Sequence, residues 1–242
     1  MFHLFHLLHT RVKQNNSCAL NYPALSTTGT RFDENIKMEQ LNLFGETQQN
    51  NSLLPGLLDY VPGLFDPAES EYLMQKFIRE MPWQQRSVLM YGKEVITPRL
   101  TVWYGDQDAD YSVTGDRAIP LPWTEELLMI KNRIEPLAGI RFNTVLLNYY
   151  RDGNDSVSWH SDNDGVPGKN RIVASVSFGQ ARNFDVREKD DHAKKYTIEL
   201  QNGSYLLMKG NFQDQWQHRI AKSTKPMKPR INLTFRILKV VE

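Results

Sequence analysis

The chain has 242 residues, of which 40% are hydrophobic and 11% aromatic, so we expect one sizeable domain with its own core. Its formal net charge of +1 gives no whole-protein attraction to a polyanion, and any nucleic-acid partner must be inferred from local charge. The single cysteine, Cys18, excludes an intramolecular disulfide framework and fits a reducing compartment. No apolar run reaches the roughly 18 residues that a membrane span needs.

The first part of the chain differs from the rest. Residues 1 to about 52 are rich in Asn, Gln, Ser and Thr and have no sustained hydrophobic period, which predicts a disordered tail. The apolar start precedes Arg11 and Lys13, the reverse of a secretory signal, so a disordered or non-native leader is favoured over a targeting segment. We expect the folded domain to cover residues 53–242.

Two helices are predicted before the strands begin. Asp66 is a candidate N-cap followed by Pro67, and the apolar face of this helix runs to about Glu80. The second helix starts after Thr124 and runs to about Pro136, with Gly139 as its stop signal and Leu127, Ile130, Ile134 and Leu137 on its apolar side.

Short strands separated by turn residues are predicted from residue 144 onward. Many short strands after helices predict an α+β chain with a jelly-roll core and the N-terminal helices packed on one side. The predicted strands are Thr144–Tyr150, Arg171–Phe178, Tyr196–Leu200, Ser204–Met208, Gln217–Ala221 and Ile231–Leu238.

His160, Asp162 and His218 are candidate metal ligands. Side chains two apart on an extended segment point the same way, so His160 and Asp162 can meet one ion, with His218 supplied by a later strand. Two histidines and one carboxylate on one face of an octahedron are the arrangement of non-haem Fe(II) oxygenases. Structural histidines and a zinc site are the alternatives, although the lone Cys18 in the tail removes the usual zinc thiolates.

The last predicted strand suggests a partner for that metal. If its polar face is exposed, it is an ordinary edge strand; if it faces the interior, its two guanidinium groups need anions. A dicarboxylic acid such as 2-oxoglutarate would supply two carboxylates, and Asn148 and Tyr150 could donate further hydrogen bonds to it. The polar face carries Arg230, Asn232, Thr234 and Arg236, alternating with Ile231, Leu233 and Phe235.

In order and spacing, these motifs resemble the AlkB family of Fe(II)/2-oxoglutarate dioxygenases. The segments Pro98–Gly105 and Ser175–Gly179 are similar to its alkylated-DNA-repair branch, and the resemblance covers about Pro55 to Leu238. It implies a double-stranded β-helix, Fe(II) as cofactor, 2-oxoglutarate as co-substrate and oxidative demethylation of 1-methyladenine and 3-methylcytosine. It further implies that His160, Asp162 and His218 are catalytic and hold the iron, and that the polar strand binds the co-substrate.

Alkylated DNA, single-stranded in preference, is the partner that this resemblance implies. An acid-free basic stretch after Gln215, with Lys222, Lys225 and Lys228, suits phosphate contacts, although a solvated charged loop is nearly as good an interpretation. A flipped base needs flat or apolar neighbours. Candidate substrate contacts are Arg99, Trp103, Tyr104, Tyr111 and Asp164, the last of which is equally well the Asp of an Asp-Gly turn, and Val113 departs from the aromatic residue common in this branch.

The tail contains a second candidate interaction site. Gln40–Phe44 resembles the short peptide by which bacterial repair proteins dock on the β sliding clamp, with Leu43 and Phe44 as anchors. Chance is the alternative, because pentapeptides recur often. If the peptide is genuine, Met38 becomes a candidate natural start.

Several alternatives to the predicted function stay open. The same chemistry could act on methylated RNA, a protein or a lipid, and a catalytically silent binding module could keep the fold. We expect a monomer that has no membrane partner and is located in the cytoplasm of a bacterium or the nucleus of a eukaryote.

Overall fold

The computed structural model describes residues 54–90, 93–109, 120–162 and 171–239. The proposed clamp peptide Gln40–Phe44 and the candidate substrate residues Tyr111 and Asp164 lie outside these residues. The predicted domain boundary near residue 52 falls just before the first described residue and stays a prediction. None of the described helices combines the length and apolar character that crossing a bilayer requires.

Both predicted helices are confirmed. Helix α1 (Pro67–Glu80) is capped by the Asp66 carboxylate, which accepts a hydrogen bond from the Glu69 amide. Helix α2 (Glu125–Ala138) is capped by Thr124 and ends at Gly139, whose φ of 68° is the left-handed conformation that favours glycine. The helix extends two residues past the predicted end at Pro136. Leu137, predicted on its apolar side, is instead 49% exposed.

Eleven strands form two antiparallel sheets within the described residues. The larger sheet has the order β1-β9-β6-β11-β4-β3-β2 and the smaller one the order β5-β10-β7-β8. A four-residue helix, α3 (Phe212–Gln215), precedes β10. The strands are β1 (Leu58–Val61), β2 (Gln84–Met90), β3 (Lys93–Gly105), β4 (Thr144–Tyr150), β5 (Val157–His160), β6 (Val173–Gly179), β7 (Arg182–Glu188), β8 (Lys195–Leu200), β9 (Ser204–Met208), β10 (Trp216–Ile220) and β11 (Arg230–Arg236).

The larger sheet has one apolar face under the helices and one mixed face toward the smaller sheet. On β11, Ile231, Leu233 and Phe235 belong to the main core cluster together with residues of α1 and α2 such as Phe77 and Ile130. The polar residues of the same strand point to the opposite face, because side chains alternate along a strand. The two helices therefore pack on one side of a jelly-roll, as predicted.

A second core lies between the two sheets. Phe184 and Val186 of β7 and Leu200 of β8 pack there with Val173 of β6 and Met208 of β9. This cluster closes part of the space between the sheets with apolar side chains. The remaining part of that space is where the polar face of β11 opens.

The six predicted strands are present with shifts of one or two residues, and five strands were not predicted. The unpredicted strands are β1, β2, β3, β5 and β7. In β3, Pro98 lies where the pairing with β2 changes register, between Ile96 and Leu100, so a residue typical of strand ends is tolerated inside a long hairpin. In β7, Phe184 and Val186 alternate with Asp185, but the polar and charged residues on either side leave this alternation too short to recognise.

Candidate metal centre and co-substrate pocket

An open cavity lies between the two sheets, and the empty space in it, counted together with its solvent-filled mouth, is about 490 Å³. Its wall contains apolar side chains, including Leu146, Val157 and Ile220, beside a concentration of polar and ionisable ones. The polar and ionisable wall residues are Arg99, Asn148, Tyr150, His160, Asp162, Ser175, His218, Arg230, Asn232, Thr234 and Arg236.

His160, Asp162 and His218 meet at one end of this cavity. Their ligand atoms all lie within 4.8 Å of one another. The Asp162 carboxylate is 3.8 Å from His160 Nε2 and 3.7 Å from His218 Nε2. The two histidines are brought together because His218 of β10 is the cross-strand partner of His160 of β5. The structure therefore unites the three residues that the sequence nominated.

Electrostatics keep Asp162 ionised. Burial by itself would raise the pKa of this carboxyl, but Arg236, His218 and His160 outweigh burial and hold the pKa below its usual value of 3.8. Arg236 Nη2 donates a 2.5 Å hydrogen bond to Asp162 Oδ1. A carboxylate that is charged and oriented in this way is ready to bind a cation.

The imidazole of His218 is buried and stays neutral. Burial lowers its pKa to about 3, with His160 and Arg236 acting in the same direction and Asp162 opposing them. A neutral imidazole is the form that binds a metal. Phe184 and Phe212 stack on its ring at centroid distances of 5.0 and 6.1 Å.

The two histidines are held differently. His160 Nδ1 lies 2.8 Å from the Ser158 carbonyl oxygen, which leaves Nε2 toward the cavity. His218 Nδ1 is buried and has no hydrogen-bond partner among the described residues. Ring stacking rather than a hydrogen bond therefore sets the orientation of His218.

Arg230 lies at the other end of the polar face and is 1% exposed. Nη2 donates to Ser177 Oγ at 3.0 Å, whereas Nε and Nη1 are buried and have no partner among the described residues. Burial lowers the pKa of Arg230 to about 10, so the guanidinium is still charged at neutral pH. A buried cation with two unsatisfied nitrogens in a cavity wall calls for an anion, and a guanidinium is well suited to binding a carboxylate.

The remaining predicted co-substrate residues lie between the metal ligands and Arg230. Asn232 Nδ2 donates to Ser175 Oγ at 2.7 Å, and Asn232 Oδ1 accepts from Thr234 Oγ1 at 3.0 Å. Asn148 is the cross-strand partner of Asn232 and lines the same cavity. Tyr150 also lines it, and its ring centroid lies 5.1 Å from the Arg230 guanidinium.

The described substrate candidates occupy different positions. Arg99 lines the cavity, donates from Nε to Asn148 Oδ1 at 2.8 Å and from Nη1 to the Ser156 carbonyl at 3.3 Å. Trp103 is 4% exposed and pairs across the ladder with Leu146, a cavity residue. Tyr104 points to the helix side and belongs to the main core, where burial raises the pKa of its hydroxyl.

Sequence reasoning did not find Gln213 or Arg182. Gln213 is 1% exposed, and its side chain accepts a hydrogen bond from the backbone of Asp162. Arg182 is 4% exposed and donates to three backbone carbonyls, of Asp152, Asp155 and Ala221. Neither residue belongs to a recognisable spacing, because Asp162 lies 51 residues from Gln213 and the carbonyls that Arg182 binds lie 27 to 39 residues from it.

The donor set fits Fe(II) with 2-oxoglutarate. Two imidazole nitrogens and one ionised carboxylate beside an open cavity match the facial triad of non-haem iron oxygenases. The buried N–H groups of Arg230 fit the carboxylate of a diacid in the same cavity. The polar face of β11 is thus interior, and the edge-strand alternative is excluded.

Comparisons with known proteins agree with this geometry. Residues 58–236 match the model of the 2OG-Fe(II) oxygenase superfamily. The chain is 40% identical over 185 residues to alpha-ketoglutarate-dependent dioxygenase alkB homolog 3 of Bos taurus, covering 72% of this chain and 64% of that protein. It is 33% identical over 183 residues to DNA oxidative demethylase ALKBH2 of Homo sapiens, covering 72% and 70% respectively. The match thus spans a little under two thirds of the alkB homolog 3 chain.

A solved structure supports the fold independently. That of OsALKBH1 superposes with a TM-score of 0.56 at 15% sequence identity, covering 74% of this chain and 97% of that one. Identity at this level reports on the fold alone. Taken with the family match over residues 58–236, it leads to one assignment: the chain belongs to the AlkB family of the 2OG-Fe(II) oxygenase superfamily.

Proposed function

We propose that the chain is an Fe(II)- and 2-oxoglutarate-dependent dioxygenase that demethylates alkylated bases, such as 1-methyladenine and 3-methylcytosine, in DNA. One observation carries the proposal. The His160, Asp162 and His218 cluster and the buried, incompletely bonded guanidinium of Arg230 line the same cavity. A metal and an anion can therefore be bound side by side.

The residues of this chain have separate tasks in the proposed reaction. His160, Asp162 and His218 would hold the iron, and Arg230 with Asn148, Tyr150, Asn232 and Thr234 would hold 2-oxoglutarate. Arg236 keeps Asp162 ionised and oriented. Bound iron and 2-oxoglutarate supply the oxidation: the substrate methyl carbon is hydroxylated and released as formaldehyde, while 2-oxoglutarate and O₂ yield succinate and CO₂. The apolar wall residues Leu146 and Val157 restrict water around the substrate.

The nucleic-acid substrate is supported by surface charge and by relatives. Arg99 lines the cavity, and Lys222, Lys225 and Lys228 lie on the loop between β10 and β11. Arg219 is a weaker candidate because it is ion-paired with Asp185 at 2.9 Å. Arg99 and Trp103 are the described residues that we assign to the substrate, and Tyr111 and Asp164 stay predictions. The relatives named above include a DNA oxidative demethylase, which favours DNA.

The test is a demethylation assay on 1-methyladenine and 3-methylcytosine in single- and double-stranded DNA and RNA. We expect release of formaldehyde and succinate with single-stranded DNA, and no release by His160→Ala. Full activity of His160→Ala would contradict the metal assignment. A preference for RNA would change the substrate and keep the chemistry. No succinate from any oligonucleotide would favour a catalytically silent module.

Two further predictions concern partners and place. We propose that Gln40–Phe44 docks on a sliding clamp, and undiminished clamp binding by Leu43→Ala plus Phe44→Ala would contradict this. We further propose that the protein acts as a monomer in the compartment that holds the DNA, the bacterial cytoplasm or the eukaryotic nucleus.

A further inference from the structure

We propose that Gln213 is a positioning residue that fixes the backbone of Asp162, so that the Asp162 carboxylate completes the metal centre. Gln213 belongs to α3, the short helix just before the strand that carries His218. The proposal rests on the metal site of the proposed function. It adds a residue that touches neither the metal nor the substrate.

Both ends of the Gln213 carboxamide make a hydrogen bond, and the residue is almost fully buried. It is 1% exposed, and its Oε1 accepts a 2.8 Å hydrogen bond from the Asp162 backbone N–H. Its Nε2 donates to the Met208 sulfur at 3.5 Å. A buried amide held at both ends has one orientation, and an orphaned Asp162 N–H in this buried setting would be costly.

Asp162 needs such support because it lies beyond its strand. The pairing of β5 with β10 reaches only His160, so no ladder hydrogen bond from that strand fixes the Asp162 peptide. Arg236 contacts the Asp162 side chain, whereas Gln213 holds its main chain. Ser161 adds a second hydrogen bond to the same region by donating from Oγ to the Trp216 carbonyl at 2.7 Å.

Helix α3 thereby acts on two metal ligands at once. Phe212 stacks on the His218 ring, and the adjacent Gln213 binds the Asp162 peptide. Supporting residues of this kind typically change metal affinity by about 10- to 100-fold when they are removed. We expect α3 to set the spacing between the carboxylate and the His218 imidazole.

Co(II) binding to the full chain tests the proposal without an activity assay, through its dissociation constant and its visible absorption. Gln213→Met keeps the volume but loses the acceptor, and we expect about 10- to 100-fold weaker binding with a changed spectrum. Gln213→Glu keeps an acceptor oxygen and should bind within a few-fold of wild type. Gln217→Met is the matched control, because the Gln217 carboxamide accepts hydrogen bonds from Arg187 and not from a metal ligand.

The outcomes separate positioning from mere folding. Unchanged Co(II) binding by Gln213→Met, or equal losses in the Met and Glu variants, would overturn the proposal. Should Gln213→Met not fold, Gln213→Asn carries the test: its amide is one methylene shorter than that of Gln213 and should lose the 2.8 Å bond to the Asp162 N–H, so weaker binding with a changed spectrum supports the positioning role, and unchanged binding contradicts it. His160→Ala must abolish binding, and if it does not, the metal site itself is wrong. If His160→Ala loses Co(II) binding and Gln213→Met binds Co(II) normally, only the role of Gln213 is contradicted.

Discussion

Two buried arginines lie against the ring of Tyr150, and they differ in what satisfies them. The guanidinium of Arg182 lies 5.9 Å from the ring centroid and that of Arg230 lies 5.1 Å from it. Arg182 donates to three backbone carbonyls, whereas Nε and Nη1 of Arg230 have no hydrogen-bond partner among the described residues. We therefore assign Arg182 a structural role and propose that Arg230 binds a ligand.

Replacing Arg230 by methionine should remove the response to 2-oxoglutarate at little cost to the apoprotein. The variant loses a buried charge that lacks a carboxylate partner, so its Tm without ligand should be close to that of wild type. At a 2-oxoglutarate concentration 100 times its Kd, the free energy of unfolding of the wild type should rise by about 2.7 kcal/mol. Thermal denaturation with and without 2-oxoglutarate measures both effects, and a normal ligand-induced shift in Arg230→Met would contradict the assignment.

The neutral imidazole of His218 links metal-free stability to pH. Its pKa is about 3 in the folded chain against 6.5 when unfolded, so the unfolded state binds more protons between these values. Stability should therefore rise with pH across this window and level off above 6.5. Asp162, whose pKa is held below 3.8, adds to the same rise at the acid end of this window, and above about pH 5 it is ionised in both states, so that His218 alone of the two still titrates there.

We expect metal-free protein to gain about 2 kcal/mol from His218 between about pH 5 and 6.5. Urea unfolding at several pH values measures this gain. The control is His218→Gln, which keeps a polar side chain but cannot titrate, and its stability should rise less over the same range. Equal slopes for the two proteins would show that His218 titrates normally.

At the scale of elements, a close backbone approach and the hydrogen bonds of Arg182 connect two loops next to the cavity. Loop 151–156 precedes the metal strand β5, and loop 221–225 follows β10, which carries His218. A side chain at Gly153 would place its Cβ 2.7 Å from the Ser223 carbonyl oxygen, so only glycine permits this approach. Arg182 reaches both loops through the carbonyls of Asp152, Asp155 and Ala221.

Arg182→Met should destabilise the fold, in contrast to Arg230→Met. It leaves three backbone carbonyls without their charged donor, and we expect a loss of about 3 kcal/mol in the free energy of unfolding. Urea unfolding of the two variants side by side checks this contrast. A larger loss for Arg230→Met than for Arg182→Met would reverse our assignment of the two arginines.

Elements with a clear period were predictable from the sequence, and elements fixed by partners were not. The strand β11 alternates strictly over seven residues, so its polar face was identified along with its ligand chemistry. The strand β5 has only four residues. Its pairing with β10 brings His160 to His218, and no local sequence pattern reveals that pairing. Sequence reasoning placed Tyr104 of β3 on the wrong face. We predicted that it contacts the substrate, but its side chain belongs to the main core on the helix side of the larger sheet.

At the largest scale, helices α1 and α2, the larger sheet and the smaller sheet form three layers in the described part of the chain, and the site lies between the two sheets. The jelly-roll class followed from many short strands after helices. His218 was assigned as a ligand supplied by a later strand, whereas the pair of His160 and Asp162 followed from spacing and the co-substrate face from alternation. The supporting residues Gln213 and Arg182 did not, since each depends on tertiary contacts across 27 residues or more.

The position of β5 has a consequence for how the chain avoids assembling with itself. Among the described residues it is the outer strand of the smaller sheet and pairs with β10 alone, through an irregular register. A metal ion shared by His160 and His218 would cross-link these two strands. Without it, a four-residue strand can fray and bare the N–H and C=O groups of β10, which is a template for strand addition by another chain. Iron would thus protect this edge from aggregation as well as serve chemistry.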